Sequence, residues 1–269
     1  MEIPFARWYP AINRRRSRRR YEPQLPAAEV LARLDAACTG FKPFPGARAV
    51  LVTRPADEVF RGALGSYGKI KGAPAFMAFI GSMDDPRVYE KVGYLGEGLI
   101  LEATALGLAT CWVAGFFRPE VAATIIGINK KERVLAVTPV GHAPSDWSLE
   151  ERVMAGFGRN HQRKPLAELI AGPMYAKGPD WVQVALEAAR LAPSAVNRQP
   201  WRFTVAGDSI TVAVDNLQDT FNLPKRLDCG IAMLHIEVAA LYYGVRGRWQ
   251  FLDAPQVARF SWNGTVSAA

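Results

Sequence analysis

Pro193-Ser194-Ala195-Val196-Asn197-Arg198-Gln199-Pro200-Trp201 puts a hydroxyl, a carboxamide and several backbone N–H donors in one short stretch stiffened by two prolines. Groups held at fixed positions in this way suit hydrogen bonding to a polar ligand. Ser and Asn after a helix also serve as ordinary turn residues, so this stretch alone leaves both readings open. A second stretch, Arg14-Arg15-Arg16-Ser17-Arg18-Arg19-Arg20-Tyr21, gathers guanidinium groups around one hydroxyl. Guanidinium forks donate two parallel hydrogen bonds to phosphate oxygens. The same run fits a nucleic-acid backbone, a membrane surface or a solvated face.

Both stretches need elements to hold them. Trp181, Val182, Val184, Ala185, Leu186, Ala188, Ala189 and Leu191 recur at helical spacing, and Pro193 ends that helix by disfavouring the α conformation before it. Trp201, Phe203 and Val205 then alternate with Arg202 and Thr204 as a half-buried strand ending at Gly207-Asp208. Earlier in the chain, residues 26–37 form an amphipathic helix with Val30, Leu31 and Leu34 on its apolar side. Ala49–Val52 and Ala75–Ile80 read as buried strands, and Gly93–Leu108 as a long apolar helix.

A hydrophobic content of 49% with 22% charged residues in 269 residues describes a globular protein with a full core. No apolar run reaches the ~18 residues needed to cross a bilayer, and the N-terminus lacks a signal-peptide apolar region. A soluble cytoplasmic protein without membrane contact is expected. Cys38, Cys111 and Cys229 are too scattered for a disulfide framework, and His142, His161 and His235 show no metal-ligand spacing. The net charge of +8 is local, because six of those charges sit in the Arg14–Arg20 run. That run has no interleaved aromatic platform and no second basic cluster beside it, which argues against nucleic acid.

The Gly- and Pro-rich residues 171–179 are the best boundary between two halves, 1–170 and 171–269. Gly230, Gly244 and Trp249 stand at one offset of 137 from Gly93, Gly107 and Trp112, each set framing an apolar helix. A diverged internal duplication is the reading, with the second copy shortened.

Pro193-Ser194-x-x-Asn197-x-Gln199-Pro200-Trp201 resembles the Pro-Ser-x-x-Asn-x-Gln-Pro-Trp motif of the flavin-dependent nitroreductase family. Arg15-Arg16-Ser17-Arg18-Arg19-Arg20-Tyr21 is similar to that family's Arg-Arg-Ser opening, residues 66–74 to its Lys-x-x-x-Ala-Pro segment, and residues 107–116 to its Gly-Leu-Gly-x-x-Trp-x-x-Gly-Phe stretch. Residues 163–168 resemble its Arg-Lys-Pro-Leu-Glu-Glu tail.

The resemblance implies an α+β, nitroreductase-like fold, with two diverged copies fused as a pseudo-dimer, each a mostly antiparallel sheet covered by helices. It implies FMN as cofactor and NAD(P)H as reductant. Arg15, Ser17, Arg19 and Arg163 would hold the phosphate. Pro193, Ser194, Ala195 and Asn197 would hold the ring and ribityl chain, and Lys69, or less well spaced Lys71, the N1 and O2 edge. Ala114 and the backbone of Gly115 would lie near N5. Ala114 stands where several relatives carry Glu, which removes a polar group from the substrate side.

Family members are homodimers whose flavin lies between subunits. Here the first half keeps the arginines and the N5 glycine, and the second half keeps Pro-Ser-x-x-Asn, so a monomer with one FMN per chain is expected. The activity implied is ping-pong hydride transfer through flavin N5 to a small organic acceptor, with no side chain as catalytic acid or base. A flavin-binding or interaction protein without turnover is the alternative. Trp112, Phe116 and Phe117 either shape the substrate side or simply pack. The arginines at 14, 16, 18 and 20 are expected to be solvated or paired with carboxylates.

Overall fold

Two long helices cross at the centre of the protein, α4 (Val88–Ala105) and α8 (Lys225–Tyr242), and glycine marks the crossing. A Cβ on Gly93 would lie 2.0 Å from the carbonyl oxygen of Leu227, and one on Gly230 would lie 2.0 Å from that of Glu90. Any other residue at either position would push the two backbones apart. Nearly every side chain of both helices is buried, as expected for helices apolar all round. Both end on a left-handed glycine, Gly107 at φ 80° and Gly244 at φ 76°. The helix expected to begin at Gly93 therefore begins earlier, because Gly93 is an interior contact and not a start signal.

The computed structural model describes residues 1–55, 57–61, 70–146, 162–171, 179–219 and 222–262. Around the crossing, the described elements fall into two sets. The first runs α2 (Ala28–Gly40), β1 (Ala47–Val52), α3 (Asp57–Phe60), β2 (Ala75–Ser82), α4, residues 109–113, α5 (Pro119–Ile126) and β3 (Glu132–Val140). Its sheet has the order β1-β2-β3, all antiparallel, and residues 109–113 bridge the outer side of β3 through Ala109 to Gly141 and Val113 to Val137.

The second set runs α7 (Asp180–Arg190), β4 (Trp201–Ala206), β5 (Ser209–Val214), α8, β6 (Gly247–Phe251) and β7 (Gln256–Trp262). Its sheet has the order β4-β5-β7-β6, also antiparallel. In both sets a helix and a strand pair precede the long helix, and the segment after that helix takes the sheet edge. Helix α1 (Phe5–Arg14) packs on both long helices, with Trp8 donating to Glu102 on α4 at 2.6 Å. Helix α6 (Leu166–Leu169) lies against α7 and β4, where Ala171 N donates to Phe203 O at 2.7 Å.

The antiparallel sheets and the strands expected from periodicity are present. The helix expected at 26–37 is α2, and the boundary proposed at residues 171–179 lies mostly outside the described residues. All three cysteines are buried thiols. Among the described residues no helix is long and apolar enough to cross a membrane, and no group of acidic, His or Cys side chains could hold a metal.

Candidate functional site

Beyond α1 the arginine run becomes an extended strap. Ser17 bridges Thr110 and Arg20 bridges Lys71, both in parallel, while Arg18 N donates to Thr110 O and Lys71 N to Arg19 O, each at 2.9 Å. Successive side chains of an extended segment point to opposite sides. Arg15 is accordingly buried and Ser17 and Arg19 line a cleft, whereas Arg14, Arg16 and Arg20 are exposed. Arg16 donates to the carbonyls of Asn13 and Arg15 at 2.7 and 2.8 Å, and Arg18 to that of Pro144 at 2.9 Å. Main-chain oxygens thus accept from both of these arginines.

The cleft, about 870 Å³ including its open mouth, is walled by four segments from both sets of elements. They are the strap at Ser17 and Arg19, residues 111–116, residues 193–196, and the start of α8 with Leu223, Leu227, Asp228 and Ile231. Ser17, Arg19, Ala114, Gly115, Pro193, Ser194 and Ala195, singled out from sequence, thus meet around one space. Gly115 faces Leu223, and Phe116, 40% exposed, stands at the rim. Trp112 also lines the cleft, whereas Phe117 packs into the smaller apolar core. Lys69 lies outside the described residues; Lys71 is exposed and its backbone holds the strap.

Backbone strain gathers here. Phe116, Val196, Asn197, Gln199 and Asn222 have φ between 49° and 63°, and all lie on or beside segments that line the cleft. For a β-branched residue such as Val196 this conformation costs about 1–3 kcal/mol and persists where surrounding contacts impose it. Those contacts are visible. Gln199 N donates to Ser194 Oγ at 3.0 Å, and Ala195 N to Asp228 Oδ1 at 3.2 Å. The Gln199 side chain accepts from Lys164 N at 2.8 Å and donates to Gln162 O at 3.2 Å.

Arg163, Asn197 and Arg15 form a second layer next to the cleft. Arg163 donates to Asn197 Oδ1 at 2.6 Å and to Leu191 O at 3.2 Å, while Asn197 Nδ2 donates to Gln162 O at 2.9 Å. The Asn197 carboxamide therefore ties residues 162–163 to the loop. Burial lowers the pKa of Arg163 to about 10, aided by repulsion from Arg15, Arg190 and Arg16. Burial lowers that of Arg15 too, against the pull of Glu97, whose Oε1 lies 3.8 Å from Arg15 Nε. Both Nε atoms are buried without a hydrogen-bonding group among the described residues. Crowded cations with unused buried donors fit a phosphate better than any neutral group.

Asp228 was not evident from sequence; an acidic residue in the first turn of an apolar helix was the available signal. Its Oδ2 accepts from Arg198 Nε at 2.7 Å, yet burial outweighs that attraction and raises its pKa to about 6. The folded pKa lies above the ordinary 3.8, so this group favours folding fully below that value and loses its contribution as pH rises through about 6. Urea unfolding of the natural protein and Asp228→Asn at successive pH values should show it. Their stability difference should shift by about 2 kcal/mol against the natural protein between pH 4 and 7. A difference constant across that range would remove Asp228 as the titrating group.

A protein-family model described as "Putative TM nitroreductase" matches residues 7–240. Among solved structures, a "putative nitroreductase" from Thermotoga maritima is similar at TM-score 0.63 and 18% identity, over 94% of this chain and 93% of that one. A nitroreductase family protein from Clostridium difficile matches at TM-score 0.45 and 19% identity, over 63% of this chain and 98% of that one. A nitroreductase with bound FMN from Bacteroides fragilis matches at TM-score 0.43 and 19% identity, over 53% and 91%. No curated protein sequence matches the chain.

Proposed function

Because the chain belongs to the nitroreductase family whose model it matches over residues 7–240, we propose that it is an FMN-dependent NAD(P)H oxidoreductase acting in ping-pong order. The observation that carries this reading is the cleft in which Ser17 and Arg19 face Pro193, Ser194 and Ala195 beside Gly115, with the Nε donors of Arg15 and Arg163, unused among the described residues, behind. FMN bound there would supply the hydride-transfer chemistry between NAD(P)H and a small organic acceptor such as a nitroaromatic or quinone. Arg15, Arg163 and Arg19 balance the phosphate charge, with Ser17 as a further donor. Gly115 leaves room for close backbone approach to a ring. The Pro193–Asn197 loop, held by Asp228 and Gln199, forms the opposite wall, and Trp112 and Phe116 exclude water from the mouth.

We also read the two sets of elements, residues 1–170 and 171–269, as diverged copies. Helices α4 and α8 begin and end at the same offset of 137, Val88 to Lys225 and Ala105 to Tyr242. Their C-terminal bonds repeat at that offset: Leu108 N donates to Ala103 O and Val245 N to Ala240 O, both at 2.8 Å. Gly93 against Leu227 and Gly230 against Glu90 are the reciprocal contacts of a two-fold interface, since 227 and 90 are again 137 apart. Each copy then supplies one side of a single cleft, and a monomer suffices.

The purified protein should be yellow, carry one FMN per chain, run as a monomer, and bleach on anaerobic addition of NADH or NADPH. A flavin-loaded protein that neither nucleotide bleaches would establish the non-catalytic alternative. A colourless protein that takes up no added FMN would end the whole reading.

A further inference from the structure

The offset that relates α4 to α8 also relates the walls of the cleft to a second place in the molecule. Ala114, Asp228 and Ile231 line the cleft, and their counterparts at 137 are Phe251, Lys91 and Tyr94. These three come together as well. Phe44 packs edge-on against Tyr94 at 5.0 Å between ring centroids and against Phe251 at 4.9 Å, and Lys91 Nζ stands 5.3 Å above the Phe251 ring. Phe44 belongs to residues 41–46, which join α2 to β1, as residues 191–200 with the Pro193–Asn197 loop join α7 to β4. Three walls of the cleft therefore have equivalents, but where the first place is hollow the second is filled with aromatic rings.

We propose that Phe44, Tyr94 and Phe251 fill a second flavin-ring site, the symmetry mate of the cleft, and so limit the chain to one flavin. The inference rests on the duplication and cofactor proposed above. Ordinary core packing would require aromatic residues somewhere, but gives no reason for them to come from the counterparts of the loop, of α8 and of the edge segment together. The sequence agrees, because the second half has no Arg-Arg-Ser segment to anchor a phosphate. A ligand for the reopened site would be a planar aromatic ring system without a phosphate, which makes lumiflavin the suitable probe. Tyr94 is braced by its hydrogen bond to Glu237, which also accepts from Trp249 at 2.7 Å, so one wall should survive removal of the two phenylalanines.

The test is equilibrium dialysis of FMN-loaded protein against lumiflavin. The natural protein should hold one FMN and no lumiflavin, and Phe44→Ala/Phe251→Ala should hold one FMN and one lumiflavin. Leu34→Ala, which opens a cavity elsewhere in the main core, should hold FMN alone. If the double variant does not fold, Phe251→Ala is read by the same titration, since it matches the residue type of Ala114. Two FMN per natural chain, a folded variant that takes up no lumiflavin, or equal uptake by Leu34→Ala would each overturn the proposal. Loss of FMN binding in the natural protein would instead remove the proposed function, and this inference with it, so the two failures are told apart.

Discussion

Replacing Arg163 with alanine should weaken FMN binding about 100-fold while riboflavin, which lacks the phosphate, binds almost as before. A charge-assisted hydrogen bond contributes about 1.5–3 kcal/mol, and about 2.7 kcal/mol corresponds to a factor of 100. Arg163 is the right target because its Nε is buried without an acceptor among the described residues and its charge is crowded by Arg15, Arg190 and Arg16. That crowding disfavours the empty protein and is relieved when an anion arrives. Removing the guanidinium also takes one donor from Asn197 Oδ1 and one from Leu191 O, but Asn197 is only partly buried and water can replace the lost donor. The stability of the flavin-free protein should therefore change by no more than about 1 kcal/mol. Fluorescence titration of flavin-free protein with FMN and with riboflavin reads the ratio directly. Equal weakening for both flavins would show that Arg163 acts through the loop and not through a phosphate.

Glu97→Ala should be among the most destabilising single changes available, at about 3–5 kcal/mol in urea unfolding. Glu97 is fully buried on α4 and serves three groups at once. Its Oε2 accepts from Trp112 Nε1 at 2.7 Å, its Oε1 meets His235 Nε2 at 2.9 Å, and Arg15 stands nearby. The other ring nitrogen of His235 lies 2.8 Å from Ala188 O, an acceptor only, so it must carry a hydrogen. Truncating Glu97 strands a buried imidazole, an indole N–H and a guanidinium together. Because Glu97 and His235 share one bond, their effects should not add: Glu97→Ala/His235→Ala should lose less than the sum of the single changes, by about 0.5–3 kcal/mol. Strict additivity would mean that the pair is not coupled.

Glu97 also shows where sequence reading stops. Periodicity marked α4 as a buried helix, but an acidic residue in an apolar helix carries no indication of which groups will surround it. Those groups come from residues 15, 112 and 235, and chain distance says nothing of their approach.

What the amino-acid order settled by itself was local or repetitive. It comprised the long apolar helices, the strands, the offset of 137 between glycines, and, through motifs that resemble a known family's, Ser17, Gly115 and the Pro193–Ala195 stretch that line one cleft. The elements rest on periods of 2 and 3.6 residues, and the cleft positions on the resemblance of short motifs. Only the folded chain decided which arginines of the run face inward, because the period of two needs the bridges to Thr110 and Lys71 to set its phase. It alone turned Asn197 toward Arg163, brought Asp228 into the cleft wall, and packed Phe44 against both Tyr94 and Phe251. In each case the partner lies on another element, and its proximity is a property of packing, which no window of residues contains.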